Sequence, residues 1–403
     1  MTTGQIDHRL PVSVITGFLG AGKSTLLNRL LRHPAMGETA VIVNEFGEIG
    51  LDHALIASSS EDTVLLSSGC LCCTVRGDLV NTLRELMQKR ESGAVKPFRR
   101  VVIETTGLAD PAPVLHTLMS DAVVSERFRL ESVVTLVDAV NGSATLDNHM
   151  EAVKQAAVAD RLVLSKTDVA PKAVVGELRH RLQHLNPGAP ILTVVEGDIE
   201  PDKLFNAGLY DPTRKSYDVQ NWLRAEAYGG HHHHHDHDHD HDHDHDHHHH
   251  DHDHHHHDHD HGHDHGHDHD HGHDEHDHPR TAEGKLDVNR HDASIGSFCL
   301  TFDEPFEWNT LATWLDLLAA YRGDNLLRVK GLINVVGVDR PVVVHGVQHL
   351  FHPPATIPAW PDEDRRSKIV FITRDLGREV IEQTLTALAQ AEATPPESLG
   401  AGR

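Results

Sequence analysis

The stretch Gly17-Phe18-Leu19-Gly20-Ala21-Gly22-Lys23-Ser24, followed by Thr25, fits the pattern G-x-x-x-x-G-K-[ST]. Val12 to Thr16 reads as a buried strand entering it, and Thr25 to Leu31 as the first turns of a helix leaving it. Glycines let the backbone curl so that successive N–H groups point inward around phosphate oxygens. Lys23 can then reach the β- and γ-phosphates and the Ser24 hydroxyl can ligate Mg²⁺, while the helix N-terminus adds its partial positive charge. A glycine-rich turn matching by accident would lack this register of strand, loop and helix. The stretch predicts a nucleotide-binding protein.

Around it, 403 residues leave room for two domains, or for one large domain with additions. No signal-peptide pattern opens the chain and no apolar run approaches a membrane span, so the expectation is a soluble cytoplasmic protein without membrane contact. The formal charge of −25 is concentrated. Residues 231–278 hold fifteen Asp, one Glu and no Lys or Arg, and the rest of the chain carries −9. No basic patch or stripe is visible, which argues against nucleic acid as a partner.

Strands and helices alternate after the loop, which predicts an α/β domain with a mainly parallel sheet. Thr39 to Asn44 is a strand running into Glu45-Phe46-Gly47-Glu48-Ile49-Gly50. That loop suits the switch position of a nucleotide hydrolase, or is simply polar. Arg99 to Glu104 is an apolar strand ending in an acid, where a carboxylate holds the Mg²⁺ shell or the attacking water. Beyond it, Gly107 permits close backbone approach to a γ-phosphate. Ser132 to Val137 is a further strand. Asp160 to Leu164 leads into Ser165-Lys166-Thr167-Asp168, similar to the [N/S]-K-x-D element of GTPases. There the Asp168 carboxylate accepts from guanine N1 and N2, which adenine cannot match, and Lys166 covers the base. GTP is expected over ATP, with Ser165 standing where Asn is commoner.

Gly69-Cys70-Leu71-Cys72-Cys73-Thr74 holds three of the four cysteines. Three thiols this close suit one soft or borderline metal ion rather than a disulfide framework. A helix pattern begins at about Val75 with Arg76 nearby, which favours the thiolates. Zinc takes four ligands. The fourth is open between a carboxylate such as Glu45, a histidine, water and a partner protein.

From His231 to His278 the sequence holds 29 His and 15 Asp, with three glycine breaks. It cannot bury a core and is expected to be a disordered linker binding several transition-metal ions without fixed geometry. Patterning resumes near Ile295. Strands at Ser297–Phe302, Leu327–Val336, Pro341–His349 and Lys368–Thr373, with helices at Trp308–Tyr321 and Gly377–Leu388, predict a small α+β domain. His345 and His349, read on one face of a strand, offer a second metal site with His352, or are exposed strand histidines. Cys299 reads as core.

Together, GFLGAGKST, NEFGEIG, GCLCC, VVIETTGLADP and SKTD, then LLRVKG, HGVQHLF and RRSKIVFITRDL, resemble the CobW-type family of metal-chaperone GTPases, relatives of HypB and UreG. The resemblance, on its zinc-chaperone branch, implies a P-loop GTPase domain over 8–222 and a linker over 223–292. A CobW-type C-terminal domain over 293–390 and a flexible tail over 391–403 would follow. It implies that Gly17, Phe18, Leu19, Gly20, Ala21, Gly22, Lys23, Ser24 and Thr25 bind phosphates, with Ser24 on Mg²⁺. Glu104 would be the Walker B acid, Gly107 would meet the nucleotide, and Ser165, Lys166 and Asp168 would form the guanine loop. Cys70, Cys72, Cys73 and Glu45 would hold Zn²⁺, with Co²⁺ or Ni²⁺ suited to similar donors. The implied function is GTP-dependent zinc delivery to client metalloproteins, and a homo-oligomer is compatible with it. Zinc storage, or cobalt delivery for cobalamin synthesis or nitrile hydratase, are the alternatives.

Overall fold

The computed structural model describes residues 8–44, 64–68, 75–205 and 294–393, all within one compact unit. The His/Asp segment 231–278, and Glu45, Cys70, Cys72 and Cys73, lie outside the described residues. Two sheets organise what is described, as the alternating pattern predicts.

The first sheet has seven strands in the order β3-β2-β4-β1-β5-β6-β7, and all its pairings are parallel. These are β1 (Leu10–Gly17), β2 (Thr39–Asn44), β3 (Val64–Ser68), β4 (Arg100–Glu104), β5 (Phe128–Asp138), β6 (Arg161–Ser165) and β7 (Ile191–Thr193). Such strands are covered on both faces and read as nearly continuous apolar runs. Val12, Val14, Ile42 and Ile103 pack on one face, with α2 (Val75–Glu91) and α3 (Ala112–Ser120). Ile15, Val41, Val102 and Leu136 pack on the other, with α1 (Lys23–Leu31).

Chain order reverses direction at β1, whose neighbours are β4 on one side and β5 on the other. In open α/β sheets this is where the carboxyl ends of the strands leave a crevice for a ligand. Strand β5 begins four residues before its expected start, because Glu131 is buried and accepts from the Ser13 Oγ at 2.9 Å. Four further short helices follow: α4 (Ala122–Arg127), α5 (Gly142–Asn148), α6 (Met150–Ala157) and, after α7 (Lys172–Leu185), α8 (Pro201–Leu204).

The second sheet is antiparallel. It runs β11 (Leu350–Phe351), β10 (Val338–Val347), β9 (Leu326–Val335), β13 (Ser367–Arg374), β8 (Ile295–Phe302), with β12 (Ala355–Thr356) on β10. Helices α9 (Trp308–Arg322) and α10 (Arg378–Ala393) cover one face around Trp314 and Phe371. Cys299 is buried, as expected.

The histidine reading needs correction. β10 stops at Val347, so His349 falls in the turn beyond it and does not share a strand face with His345. His345 is buried at 3 % exposure rather than exposed. Its burial, with Arg328 and Lys330 nearby, holds it neutral well below the usual imidazole range. His349 pairs with Asp324 at 3.0 Å. Among the described residues no group of three His, Cys, Asp or Glu is placed to hold a metal ion.

Residues 328 and 330 point from β9 away from the α9/α10 core, toward the first sheet. There Arg328 Nη2 and Lys330 Nζ both donate to Asp160 Oδ1, at 2.9 and 2.6 Å. Oδ2 of the same carboxylate accepts from the Val133 amide at 2.9 Å. Burial alone would raise the Asp160 pKa, but the two cations outweigh it and hold the carboxyl far below its usual range. Burial pushes Lys330 down to about 8 against the pull of Asp160. Removing one partner of a buried charge cluster strands the others. Asp160→Asn should therefore cost about 3–5 kcal/mol of stability, read as a lower denaturation midpoint. The folded carboxyl titrates below its unfolded counterpart. The stabilisation from this group is thus complete above about pH 4 and is lost as pH falls from there.

Candidate functional site

The crevice at the carboxyl ends of β1, β4, β5 and β6 gathers the motifs. After β1 the chain turns through Gly20 and Gly22, both at positive φ (72° and 92°), a conformation costly for any side chain with a Cβ. Among the described residues no side chain caps the start of α1. Its first amides therefore face the loop, where an anion satisfies them. Lys23 leads this helix, and its Nζ donates to the carbonyls of Gly17 (2.8 Å) and Phe18 (3.1 Å). That geometry lays the ammonium across the loop it closes.

Ser24 follows, and its Oγ donates to Glu104 Oε1 at 3.2 Å. The contact comes from sheet register: Ile15 lies opposite Glu104 across β1 and β4, so the end of β4 reaches the loop two residues above. Glu104 is 4 % exposed. A hydroxyl and a buried carboxylate side by side at a phosphate loop are donors suited to a hard divalent cation. Gly107 backs directly on the loop: a Cβ there would stand 2.6 Å from the Leu19 amide nitrogen.

At the far side of the crevice the Ser165–Asp168 loop joins the same assembly. Ser165 Oγ donates to the Ala21 carbonyl at 2.7 Å, tying the expected guanine loop to the phosphate loop. Lys166 sits at φ 56°, unusual for a lysine, and its Nζ pairs with Asp138 Oδ2 at 2.8 Å. Burial raises the Asp138 pKa, but Lys166, Asn141 and the Val140 amide together hold it below the usual range. Asp168 is exposed. The loops enclose a cavity of about 120 Å³ whose lining includes Phe18, Ala21, Asp138 and Lys166.

Two roles were not legible in sequence. Asp138 is buried to hold Lys166, and only its place at the end of an apolar strand hints at it. Phe18 stacks on His149 at the start of α6, ring centroids 4.4 Å apart, a contact with no local signal. For the thiol motif, the strands leading toward it are informative. β2 and β3 pair in parallel up to Asn44 opposite Ser68, and Val43 lies opposite Glu104 on the other side. β2 and β3, which precede Glu45 and the cysteines in the sequence, therefore end side by side, next to the strand that ends in Glu104.

A phosphate loop, an acid at the end of the neighbouring strand and an S-K-x-D loop across the crevice, on a parallel sheet, are the frame of a P-loop GTPase. The profile of the CobW/HypB/UreG nucleotide-binding domain matches residues 11–193, and that of the cobalamin synthesis protein CobW C-terminal domain matches residues 295–389. The chain is 30% identical to the zinc chaperone YjiA of Escherichia coli (strain K12), over 94% of its length and 98% of that protein. It is 33% identical to zinc-regulated GTPase metalloprotein activator 1 of Schizosaccharomyces pombe, over 56% of its length and 53% of that protein. The crystal structure of Zn(II)-bound YjiA GTPase from E. coli superposes with a TM-score of 0.61 at 26% identity, covering 94% of this chain and 99% of that one. The chain belongs to the CobW/HypB/UreG family. Among the described residues no helix is long and apolar enough to cross a membrane.

Two substitutions probe the assembly. Ser165→Ala removes the tether to Ala21 and should weaken nucleotide affinity about fivefold, the worth of one buried hydrogen bond, by fluorescent-nucleotide titration. Gly107→Ala forces backbone apart at Leu19 and should lower GTP turnover by about tenfold or more in a steady-state phosphate-release assay.

Proposed function

We propose that this protein is a GTP-dependent zinc chaperone. It takes Zn²⁺ on the thiolates of Cys70, Cys72 and Cys73 with Glu45 as a further ligand, and passes it to client metalloproteins as GTP is hydrolysed. The observation that carries this reading is the strand register. β3, β2 and β4 end side by side, and the sequence continues from the first two into the stretches that carry the thiols and Glu45, which supports a metal site coupled to the carboxylate at the phosphate loop. The likeness to a zinc chaperone over nearly the whole chain supports zinc as the cargo.

In this reading the loop amides of Gly17–Thr25 cradle the phosphates and Lys23 turns from its carbonyl partners to the β- and γ-phosphate oxygens. Ser24 and Glu104 fit Mg²⁺, the hydroxyl as direct ligand and the carboxylate around it. Bound there, the ion would offset negative charge on the β- and γ-phosphate groups. Gly107 offers its amide to the γ-phosphate, Asp168 reads guanine, and Lys166, steadied by Asp138, covers the base. Hydrolysis frees the loops that sensed the γ-phosphate, and the thiolate site beside them loosens toward a docked client. The His/Asp segment gathers metal.

The test is steady-state GTP hydrolysis with and without one equivalent of zinc, on the chain lacking residues 231–278. Cys72→Ala/Cys73→Ala is assayed beside it. Zinc should change kcat only when both cysteines are present. Turnover indifferent to zinc and to the cysteines would sink the chaperone reading in favour of metal storage.

A further inference from the structure

Helix α6 carries a contact that the GTPase motifs do not include. Gln155, 1 % exposed, donates through Nε2 to two backbone carbonyls of the loop after Glu104: Gly107 O at 3.1 Å and Ala109 O at 3.0 Å. One residue before it, Lys154 Nζ pairs with Asp110 Oδ2 at 2.7 Å. Asp110 in turn accepts from the Ala112 amide at 2.9 Å, closing the loop onto the start of α3. The loop thus lies between two surfaces, with Gly107 backed on Leu19 of the phosphate loop on one side and α6 gripping its carbonyls on the other.

The helix that grips is itself fixed. Thr135 Oγ1 donates to the Gln155 carbonyl at 2.7 Å, and Asn186 Nδ2 reaches the carbonyls of Ala156, Ala157 and Ala159. At its other end the Phe18–His149 stack joins α6 to the phosphate loop. The amide of Gln155 has a further property: its Oε1 is buried with no hydrogen-bond partner among the described residues. A buried acceptor left unpaired is unfavourable, and a side chain serving only to fill space here would be apolar. What the amide contributes is its two donations.

We propose that Gln155 is a positioning residue for GTP hydrolysis, with Lys154 as a second hold. By gripping the Gly107 and Ala109 carbonyls it keeps the loop after Glu104 pressed on the phosphate loop, so that the Gly107 amide is aimed where a γ-phosphate lies. The proposal rests on the reading above that this loop meets the γ-phosphate. GDP ends at the β-phosphate and draws its affinity from the phosphate and guanine loops. Loss of the grip should therefore act on GTP and spare GDP.

The experiment uses the full chain and its variants Gln155→Met, Lys154→Met and Glu104→Gln. It measures kcat and KM for GTP with Mg²⁺, and affinities for fluorescent GDP and a fluorescent non-hydrolysable GTP analogue. Gln155→Met keeps length and bulk but has no donor. It should lower kcat about tenfold and weaken the GTP analogue several-fold while GDP affinity stays within about twofold. Lys154→Met, at a half-buried position, should shift the same quantities the same way by less. If Gln155→Met fails to fold, Lys154→Met decides. Wild-type kcat and wild-type analogue-to-GDP preference in the folded variants overturn the proposal. So does an equal loss of GDP and analogue binding, which marks a general packing role. Glu104→Gln separates the two readings. If it abolishes turnover while the α6 variants retain it, only the grip is refuted; if it leaves turnover intact, the reading of the loop falls and the proposal with it.

Discussion

The Asp160 carboxylate joins the two sheets. It is wholly buried, and three donors from two parts of the fold converge on it: Arg328 and Lys330 from β9, and the Val133 amide from β5. Buried charge is tolerated only when paired and hydrogen-bonded, so sheet and sheet are locked at one register. Ala157 packs with Leu327 and Ile372 beside this anchor. The position of Asp160 in the chain matters as much as its partners. It ends the segment that begins with α6, and it opens β6, whose other end carries Ser165 and Lys166. The helix gripping the loop after Glu104 and the strand bearing the guanine loop are thus rooted at one point, held by the C-terminal sheet.

From that root the nucleotide site is built by short polar ties rather than by bulk. Ser165 holds Ala21, Asp138 holds Lys166, Ser24 meets Glu104, and Thr105 Oγ1 donates to Thr16 Oγ1 at 2.8 Å. Each tie connects loops from different strands at the carboxyl edge. One backbone conformation they sustain, the positive φ of Lys166, is one an unrestrained lysine would rarely hold. Preorganisation of this kind is what phosphoryl transfer asks of a protein, since positioning and charge stabilisation supply most of the catalysis.

The motifs were legible because their chemistry is local. Gly17 to Thr25 needs only its own glycines and the helix it starts, and Glu104 is marked by the apolar run that it ends. β2 coincides with the expected Thr39–Asn44, and α7 begins and ends within a residue of Pro171–Leu185. Elements whose pattern is broken by polar residues were harder. The first residues of β5 are hidden by the polar Arg129 and Glu131; Glu131 is buried here because the Ser13 hydroxyl donates to it across the pairing. α6, with the sequence MEAVKQAA, is only eight residues long, too short for its apolar side to stand out in the chain. His349 looked like strand because the turn after Val347 is made by Gln348 at φ 51°, a residue type that carries no turn signal.

By itself the sequence determined the class of protein: a phosphate loop between strand and helix, an acid ending a later apolar strand and an S-K-x-D element, in the order of a P-loop GTPase. Each is written in contiguous residues, where spacing along the chain dictates geometry. The tertiary structure alone decided which distant groups meet. Asp160 and Arg328 are 168 positions apart, Gln155 and Gly107 are 48 apart, and Ser165 and Ala21 are 144 apart. Such pairs follow from sheet order and strand register, which are set by how whole apolar faces pack, and no local pattern records them.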